Sequence, residues 1–526
     1  MRVRWRPTWR FWRRGIQLLC LALFFWLFRK TEYTGFGEIP DAANAFFRID
    51  PLAGAAAMLG AKSIIFPLLV PGLAVLALTF VLGRFFCGWV CPLGTILDGT
   101  SRLARFARRR AAGQARLAGL RRARYAILFA ILAGALFGLP LAGLFDPLAI
   151  LVRGLALGVD PAASTLARAA SDWAYRTGPA WLSSAADAAY GFLRSRVVPF
   201  QSHAFLLAGT SLAILLGVLA LEFARPRFWC RYLCPLGALF SLAARKSLLR
   251  RKPSKSCPGC AQCAEDCRME AFGAEGRMSP ESCTLCMDCQ VDCPHGIVSF
   301  GFGLPAAGAA PFEPSRRLFL GAAGASAVLA AAAALDRRAA AAVRPLPLRP
   351  PGVLDDAAFL DRCVRCGLCM KVCPTGALQP CGLEGGLAGI FSPKLVPRLG
   401  YCEYNCALCG EICPTGAIPR LAEAEKHEAV MGKAQFDTTR CLPYARGEPC
   451  IVCEEHCPVP EKAIQTREVE TTNVAGERVK LLQPYVVLER CVGCGICENK
   501  CPLQGAAGVR VQHAKYAAAT PEMLSR

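Results

Sequence analysis

Six groups of four cysteines constrain this 526-residue chain more than any other feature, because thiols at such tight, repeated intervals are ligands. From 257 it reads CPGCAQCAEDC, and from 283 CTLCMDCQVDCPHG, both C-x2-C-x2-C-x3-C. In that spacing three neighbouring thiolates hold one face of a [4Fe-4S] cubane, and the fourth crosses to a second cubane. The pattern assigns Cys257, Cys260, Cys263 and Cys293 to one cluster and Cys283, Cys286, Cys289 and Cys267 to another. Zinc sites use two C-x2-C pairs around a longer loop, so complete four-cysteine motifs favour iron–sulfur. A disulfide framework belongs to short secreted chains, which this is not.

A larger block follows. CVRCGLCMKVCPTGAL supplies Cys363, Cys366, Cys369 and Cys373, and CVGCGICENKCPL supplies Cys491, Cys494, Cys497 and Cys501. Between them lie two variants with a wider first spacing. One carries Cys402, Cys406, Cys409 and Cys413, the other Cys441, Cys450, Cys453 and Cys457. Proline follows the fourth cysteine in five of the six motifs; only Cys267 lacks it. With regular motifs outermost and irregular ones innermost, nested exchange of fourth ligands is expected. Twenty-four thiolates then hold six [4Fe-4S] clusters. There is no C-x2-C-H, so covalently attached haem is not expected.

Hydrophobic residues make up 54% of the chain. A short apolar run from Gly15 to Phe28 reads as an uncleaved first span, extended by flanking Trp and Arg. Further spans are expected at about 63–86, 125–145 and 203–223. Pro67, Pro71 and Pro140 read as ordinary membrane-helix prolines. Residues 102–124 carry nine arginines and no acid, whereas 31–62 and 144–202 mix both signs. The positive-inside rule then places the N-terminus, 87–124 and everything from about 225 in the cytoplasm. The net charge of +22 is thus a matter of topology, and nucleic acid is not an expected partner.

Six cysteines lie outside the cluster motifs. Cys20 and Cys381 read as inert packing. The other four repeat: FCGWVCPLGTI at 86–96 and WCRYLCPLGAL at 229–239 share C-x3-C-P-L-G at the end of an apolar helix. On a helix, i and i+4 share a face, so Cys87 with Cys91 and Cys230 with Cys234 are candidate redox dithiols or ligands of an additional centre. His203 and Glu222 lie near span ends and read as interfacial; neither is assigned as a quinol base.

By these motifs residues 1–300 resemble the NapH family, and residues 315–526 resemble the NapG (MauM) family of periplasmic four-cluster ferredoxins with twin-arginine signals. Ser315, Arg316, Arg317, Phe319 and Leu320 fit the S-R-R-x-F-L core of such a signal. Export after cluster loading would spare the thiols from the oxidising periplasm. Arg337, Arg338, Arg344 and Arg349 lie beyond the apolar stretch, against the positive-inside preference.

The expected fold is an α-helical membrane domain of four spans plus a fifth signal-anchor-like helix, with α+β bacterial-ferredoxin-like domains of two and four clusters. The expected domains are 1–245 in the membrane, 246–305 as a cytoplasmic two-cluster ferredoxin, 312–340 as the signal helix, 341–360 as an extended linker, and 361–526 as a periplasmic polyferredoxin. The resemblance implies an inner-membrane, quinol-dehydrogenase-type electron-transfer component of anaerobic respiration. Its partners would be the quinone pool, membrane lipid and a periplasmic reductase or cytochrome. A redox maturation protein, serving metal reduction or oxidase assembly, is the alternative; the second polyferredoxin argues against it.

Overall fold

A computed structural model describes residues 9–33, 41–108, 120–177, 179–196, 203–253, 259–260, 262–272, 278–303, 316–343 and 346–514. Cys257, Ser315 and Arg344 lie outside the described residues. The chain forms two compact units: Met1–Lys30, Ala42–Gly154 and Thr210–Ala331 in the first, and Thr31–Asp41, Leu155–Gly209 and Ala332–Arg526 in the second.

The first unit is built twice over. Helix Trp9–Lys30 is followed by Pro51–Ala61, then Phe66–Leu82, a π-helical turn Phe86–Val90, and Pro92–Arg108. The second half repeats this order with Ala123–Leu136, Pro147–Arg153, Ala208–Ala224, the π-turn Trp229–Leu233 and Pro235–Ala244. Pro51–Ala61 and Pro235–Ala244 each pack against both Phe66–Leu82 and Ala123–Leu136, so the halves interlock. Apolar residues line the seam, among them Leu52, Leu68, Leu93, Leu128, Ile131 and Phe240. The two-cluster ferredoxin is closed by Leu249–Pro253 pairing antiparallel with Val298–Phe302.

Among the described residues three helical segments are, by length and composition, able to cross a membrane: Trp9–Lys30, Pro147–Thr177 and Phe319–Asp336. The helices at three expected spans are shorter, at 17, 14 and 17 residues for Phe66–Leu82, Ala123–Leu136 and Ala208–Ala224. Pro147–Thr177 is a helical stretch inside 144–202, the segment that mixed charge marks as a loop between spans. Asp146 caps its first turn, proline stands at its first position, and an apolar run follows. The 28-residue helix Arg316–Val343 occupies the segment read as a signal anchor.

In the second unit each cluster motif bends around a short helix: Leu368–Val372, Leu408–Glu411, Val452–Glu455 and Ile496–Lys500. Each ends at or just before a Cys-Pro, where proline forbids another turn. Antiparallel pairs Leu378–Pro380 with Pro393–Leu395, and Lys433–Phe436 with Val509–Gln512, tie the motifs together. A longer hairpin, Ile464–Thr472 with Arg478–Val486, follows the third motif. The segment read as a linker at 341–360 is partly core. Arg349 is buried and donates to Ser392 Oγ at 2.9 Å and to the Pro393 carbonyl at 2.8 Å. It is therefore a structural charge and no guide to topology.

Candidate iron–sulfur and membrane-cysteine sites

Three regular motifs share one backbone device. The residues flanking the middle cysteine are left-handed: Arg365 and Gly367, Gly493 and Gly495, Leu285 and Met287. The two wider motifs lack it, with Ala407 and Ile451 at negative φ.

The polyferredoxin thiols gather in sets that exchange their fourth member between consecutive motifs. One pocket is lined by Cys363, Cys366, Cys369 and Cys413, and another by Cys402, Cys406, Cys409 and Cys373. A third is lined by Cys441, Cys450, Cys453 and Cys501, while Cys457 faces Cys494 of the last motif. The expected nested exchange is therefore overturned; pairing is sequential. The short helices explain it, since Leu368–Val372 packs on Leu408–Glu411 and Val452–Glu455 on Ile496–Lys500.

These sets fit cubanes. Backbone N–H groups point at the sulfurs: Ala434 to Cys491 Sγ at 3.4 Å, Gly508 to Cys501 Sγ at 3.3 Å and Ala463 to Cys457 Sγ at 3.3 Å. Among the described residues no group of three or more His, Cys, Asp or Glu is arranged to hold a single metal ion, and a cubane spreads its sulfurs wider. Burial, with the neighbouring thiol Cys450, pushes the Cys441 thiol up to about 12, so these side chains need a cationic cluster to become ligands.

The modules meet where the Cys402 amide donates to the Cys494 carbonyl at 2.8 Å. Lys426, 1% exposed, lies at this seam and acts electrostatically on both cysteines. Its Nζ donates to the Tyr404 carbonyl at 3.3 Å. The four sets thus run in a line, with the two central ones belonging to different modules.

In the first unit Cys263, Cys267, Cys283, Cys286 and Cys289 line one cavity, with Cys267 joining the second motif as the spacing predicts. Cys263 takes a hydrogen bond from Arg251 at 3.3 Å, and Cys260 is exposed. This domain is held against the cysteine hairpins. Trp89 Nε1 donates to the Leu285 carbonyl at 2.9 Å, and Arg84 to the Glu281 carbonyl at 3.2 Å. Arg268, which stands where the other five motifs have proline, reaches Asp98 Oδ1 at 3.0 Å and also pairs with Asp288. Glu270 pairs with Arg231 at 2.8 Å and Arg121 at 2.7 Å.

The hairpins themselves differ from the expected single helix. A π-turn carries Cys87 or Cys230, the chain then breaks, and Cys91 or Cys234 caps the next helix, accepting from Gly94 N at 3.4 Å or Gly237 N at 3.2 Å. The four thiols nevertheless converge, each of Cys91 and Cys234 sensing Cys87 and Cys230. The repeat also extends further than C-x3-C-P-L-G. Arg84 and Arg227 stand three residues before each first cysteine, and each reaches across the seam. Arg227 Nη1 lies 2.8 Å from where a Cβ of Gly94 would be, and Arg84 Nη2 lies 2.8 Å from that of Gly237. Arg84 Nη2 also bonds Cys87 Sγ, and Arg227 Nη1 bonds Cys230 Sγ, both at 3.8 Å. Among the described residues Arg84 pairs with no carboxylate, and Arg84 Nε and Arg227 Nη2 meet no acceptor. R-F-aromatic-C was visible in both copies and is the signal that spacing analysis passed over.

Glu222, read as interfacial, is buried in the protein; it accepts from the Arg227 amide at 2.9 Å and from Ser101. His203 packs its ring on Gly376, beside the Cys373-Pro374 turn. Cys381 is buried against Arg349 at 3.6 Å and Cys20 is half-buried, with no further thiol joining either.

The chain matches the 4Fe-4S binding domain at residues 64–111 and 207–256, and a second domain of that description at 359–379 and 484–504. The first pair covers both cysteine hairpins. Over 212 residues the chain is 37% identical to the methylamine utilization ferredoxin-type protein MauM of Methylorubrum extorquens, spanning 39% of this chain and 91% of that one. Over 162 residues it is 37% identical to the ferredoxin-type protein NapG of Escherichia coli, 30% of this chain and 68% of that one. No solved structure matches it. With cubane-sized cysteine sets in the polyferredoxin part and likeness over nine-tenths of a curated relative, the chain belongs to the MauM/NapG family of ferredoxin-type, iron–sulfur electron-transfer proteins.

Proposed function

We propose that this protein oxidises quinol in the inner membrane and passes electrons through [4Fe-4S] clusters to a periplasmic reductase or cytochrome. Its membrane half is NapH-like, fused to a polyferredoxin exported with a twin-arginine signal. One observation carries the reading. The polyferredoxin folds together with 31–41 and 155–209, the segments that the charge pattern assigns to the periplasm. Lys371 pairs with Glu32 and Asp160, each at 2.8 Å, and Gln379 bonds the Leu206 amide at 2.9 Å. The two-cluster ferredoxin instead contacts arginines of the cytoplasmic set, namely Arg10, Arg13, Arg121 and Arg231.

The four membrane cysteines are read as holding an additional anionic iron–sulfur centre, neutralised by Arg84 and Arg227. A buried guanidinium without a carboxylate needs a counter-charge, and a thiolate-held cluster supplies one. When bound, the clusters supply one-electron redox chemistry; the residues present position them and set their potentials.

Alkaline phosphatase and green fluorescent protein fused after residue 526 test the topology. Phosphatase activity with a dark fluorescent fusion is expected, and the reverse would place the polyferredoxin in the cytoplasm. Cluster reduction by a quinol analogue, followed by electron paramagnetic resonance, tests the electron source.

A further inference from the structure

The duplication of the membrane half places an acid at the start of each of the helices Pro51–Ala61 and Pro147–Arg153. Residues 49–53 read IDPLA and residues 145–149 read FDPLA. In each copy the aspartate caps a helix that begins with proline. Asp50 Oδ1 accepts from the Leu52 amide at 2.8 Å, and Asp146 Oδ2 from the Ala149 amide at 2.7 Å.

Capping uses one oxygen of each carboxyl. The others, Asp50 Oδ2 and Asp146 Oδ1, are buried and meet no donor among the described residues. The two carboxyls lie close enough to act on each other electrostatically. Their exposures are 0% and 1%, and among the described residues no Lys, Arg or His forms an ion pair with either. Two ionised carboxylates this close, buried and without an ion-pair partner among the described residues, repel each other strongly, so one carries a proton. That proton lies between the two orphan oxygens and satisfies both. A purely structural cap does not require this: asparagine caps a helix as well as aspartate and brings no charge to neutralise. Ionisable groups buried inside membrane domains commonly serve proton transfer.

We infer that the Asp50–Asp146 pair holds one shared proton and is the proton acceptor for quinol oxidation in this membrane domain, an inference that rests on the quinol reading above. A quinol gives up two electrons and two protons. The electrons leave singly to one-electron iron–sulfur centres. As a quinol O–H bond breaks, the ionised oxygen of the pair forms a new O–H bond and the pair becomes neutral. It releases that proton to water and accepts the second in the same way.

The test uses the full-length, cluster-loaded protein in lipid nanodiscs, with Asp50→Asn, Asp146→Asn and the double variant. Asparagine keeps the capping oxygen and the side-chain shape, and unchanged cluster signals after dithionite reduction check that each variant is folded. In infrared spectra the wild type should show a protonated-carboxyl band that shifts in D2O and is lost in either single variant. Quinol-driven cluster reduction in the double variant should slow by about 100-fold or more, the scale of general acid–base catalysis. Absence of the band from the wild type would overturn the shared proton. A band with an unchanged quinol rate in the double variant would overturn the acceptor role. A wild type that dithionite reduces and quinol does not would remove the quinol reading and the acceptor role with it, and the band would still report on the shared proton.

Discussion

A Cβ on Gly88 would lie 2.0 Å from the carbonyl oxygen of Thr284, so the first cysteine hairpin and the loop between Cys283 and Cys286 touch backbone to backbone. That contact brings a ferredoxin cluster loop against the turn holding Cys87. Any side chain at 88 must push the two apart. Gly88→Ala is expected to cost about 1–3 kcal/mol of docking, as overpacking does, while leaving iron content intact. Electron transfer between the two-cluster ferredoxin and the membrane domain should fall at least tenfold, as read by rapid-freeze paramagnetic resonance. An unchanged rate would show that the contact carries no electrons.

Asp98 is the hub of that docking surface. It is buried and accepts from Arg227 Nε at 2.8 Å, Arg268 Nη1 at 3.0 Å, Gln17 Nε2 at 3.0 Å and Arg13 Nη1 at 3.3 Å. Burial opposes its ionisation, yet Arg227 and Arg268 outweigh it and hold the carboxyl well below the usual range. Because the folded-state value is depressed, its stabilisation is complete above the ordinary aspartate pKa of about 4 and is lost only as pH falls below it. Wild-type docking should therefore be constant from about pH 5 to 8. Asp98→Asn leaves Arg227 without a carboxylate, while Arg13 and Arg268 keep only Asp288; it is expected to cost about 3–5 kcal/mol, exposing the ferredoxin to limited proteolysis at every pH. Equal protease resistance in variant and wild type would contradict this.

Ligation was the most legible part of this chain, because the polyferredoxin cavities are lined by the cysteines that spacing picked out. Which motif lends its fourth ligand to which was not legible, since that follows from helix packing over long separations. Arg268 looked like a defect in a motif and is a docking residue, because sequence cannot say what a side chain faces. The helix that starts at Pro147 was not legible from charge, because the mixed signs of 144–202 say nothing of the capped, proline-started apolar stretch at its beginning. Arg84 and Arg227 were not legible from cysteine spacing, because they stand in the flanks of the repeat and outside C-x3-C-P-L-G.

Lys426 places a buried cation between Cys402 and Cys494, and hence beside two clusters that belong to different modules. A positive charge there favours the reduced, more negative form of each. Lys426→Met keeps the length and removes the charge. Both potentials are expected to drop by roughly 50–100 mV, the size of a partly screened Coulomb interaction at this range. Redox titration of the purified protein should show two of the polyferredoxin signals moving together. Movement of one alone would place Lys426 away from the seam.

Sequential exchange makes a prediction about pairs of ligands. Cys373 lies in the first motif but lines the cavity of Cys402, Cys406 and Cys409. Cys373→Ser and Cys409→Ser should each disable the same cubane, so the double variant should lose no more iron than either single one. Cys373→Ser combined with Cys497→Ser removes ligands from two different sets, and its loss should equal the sum of the single losses. Nested exchange, in which Cys373 would serve the 491–497 motif, predicts the reverse pattern. Iron and acid-labile sulfide analysis of the five variants, three single and two double, decides between them without any assay of activity. The outcome bears on the path as well, because sequential pairing makes Cys402 and Cys494 the place where electrons must cross from one module to the next.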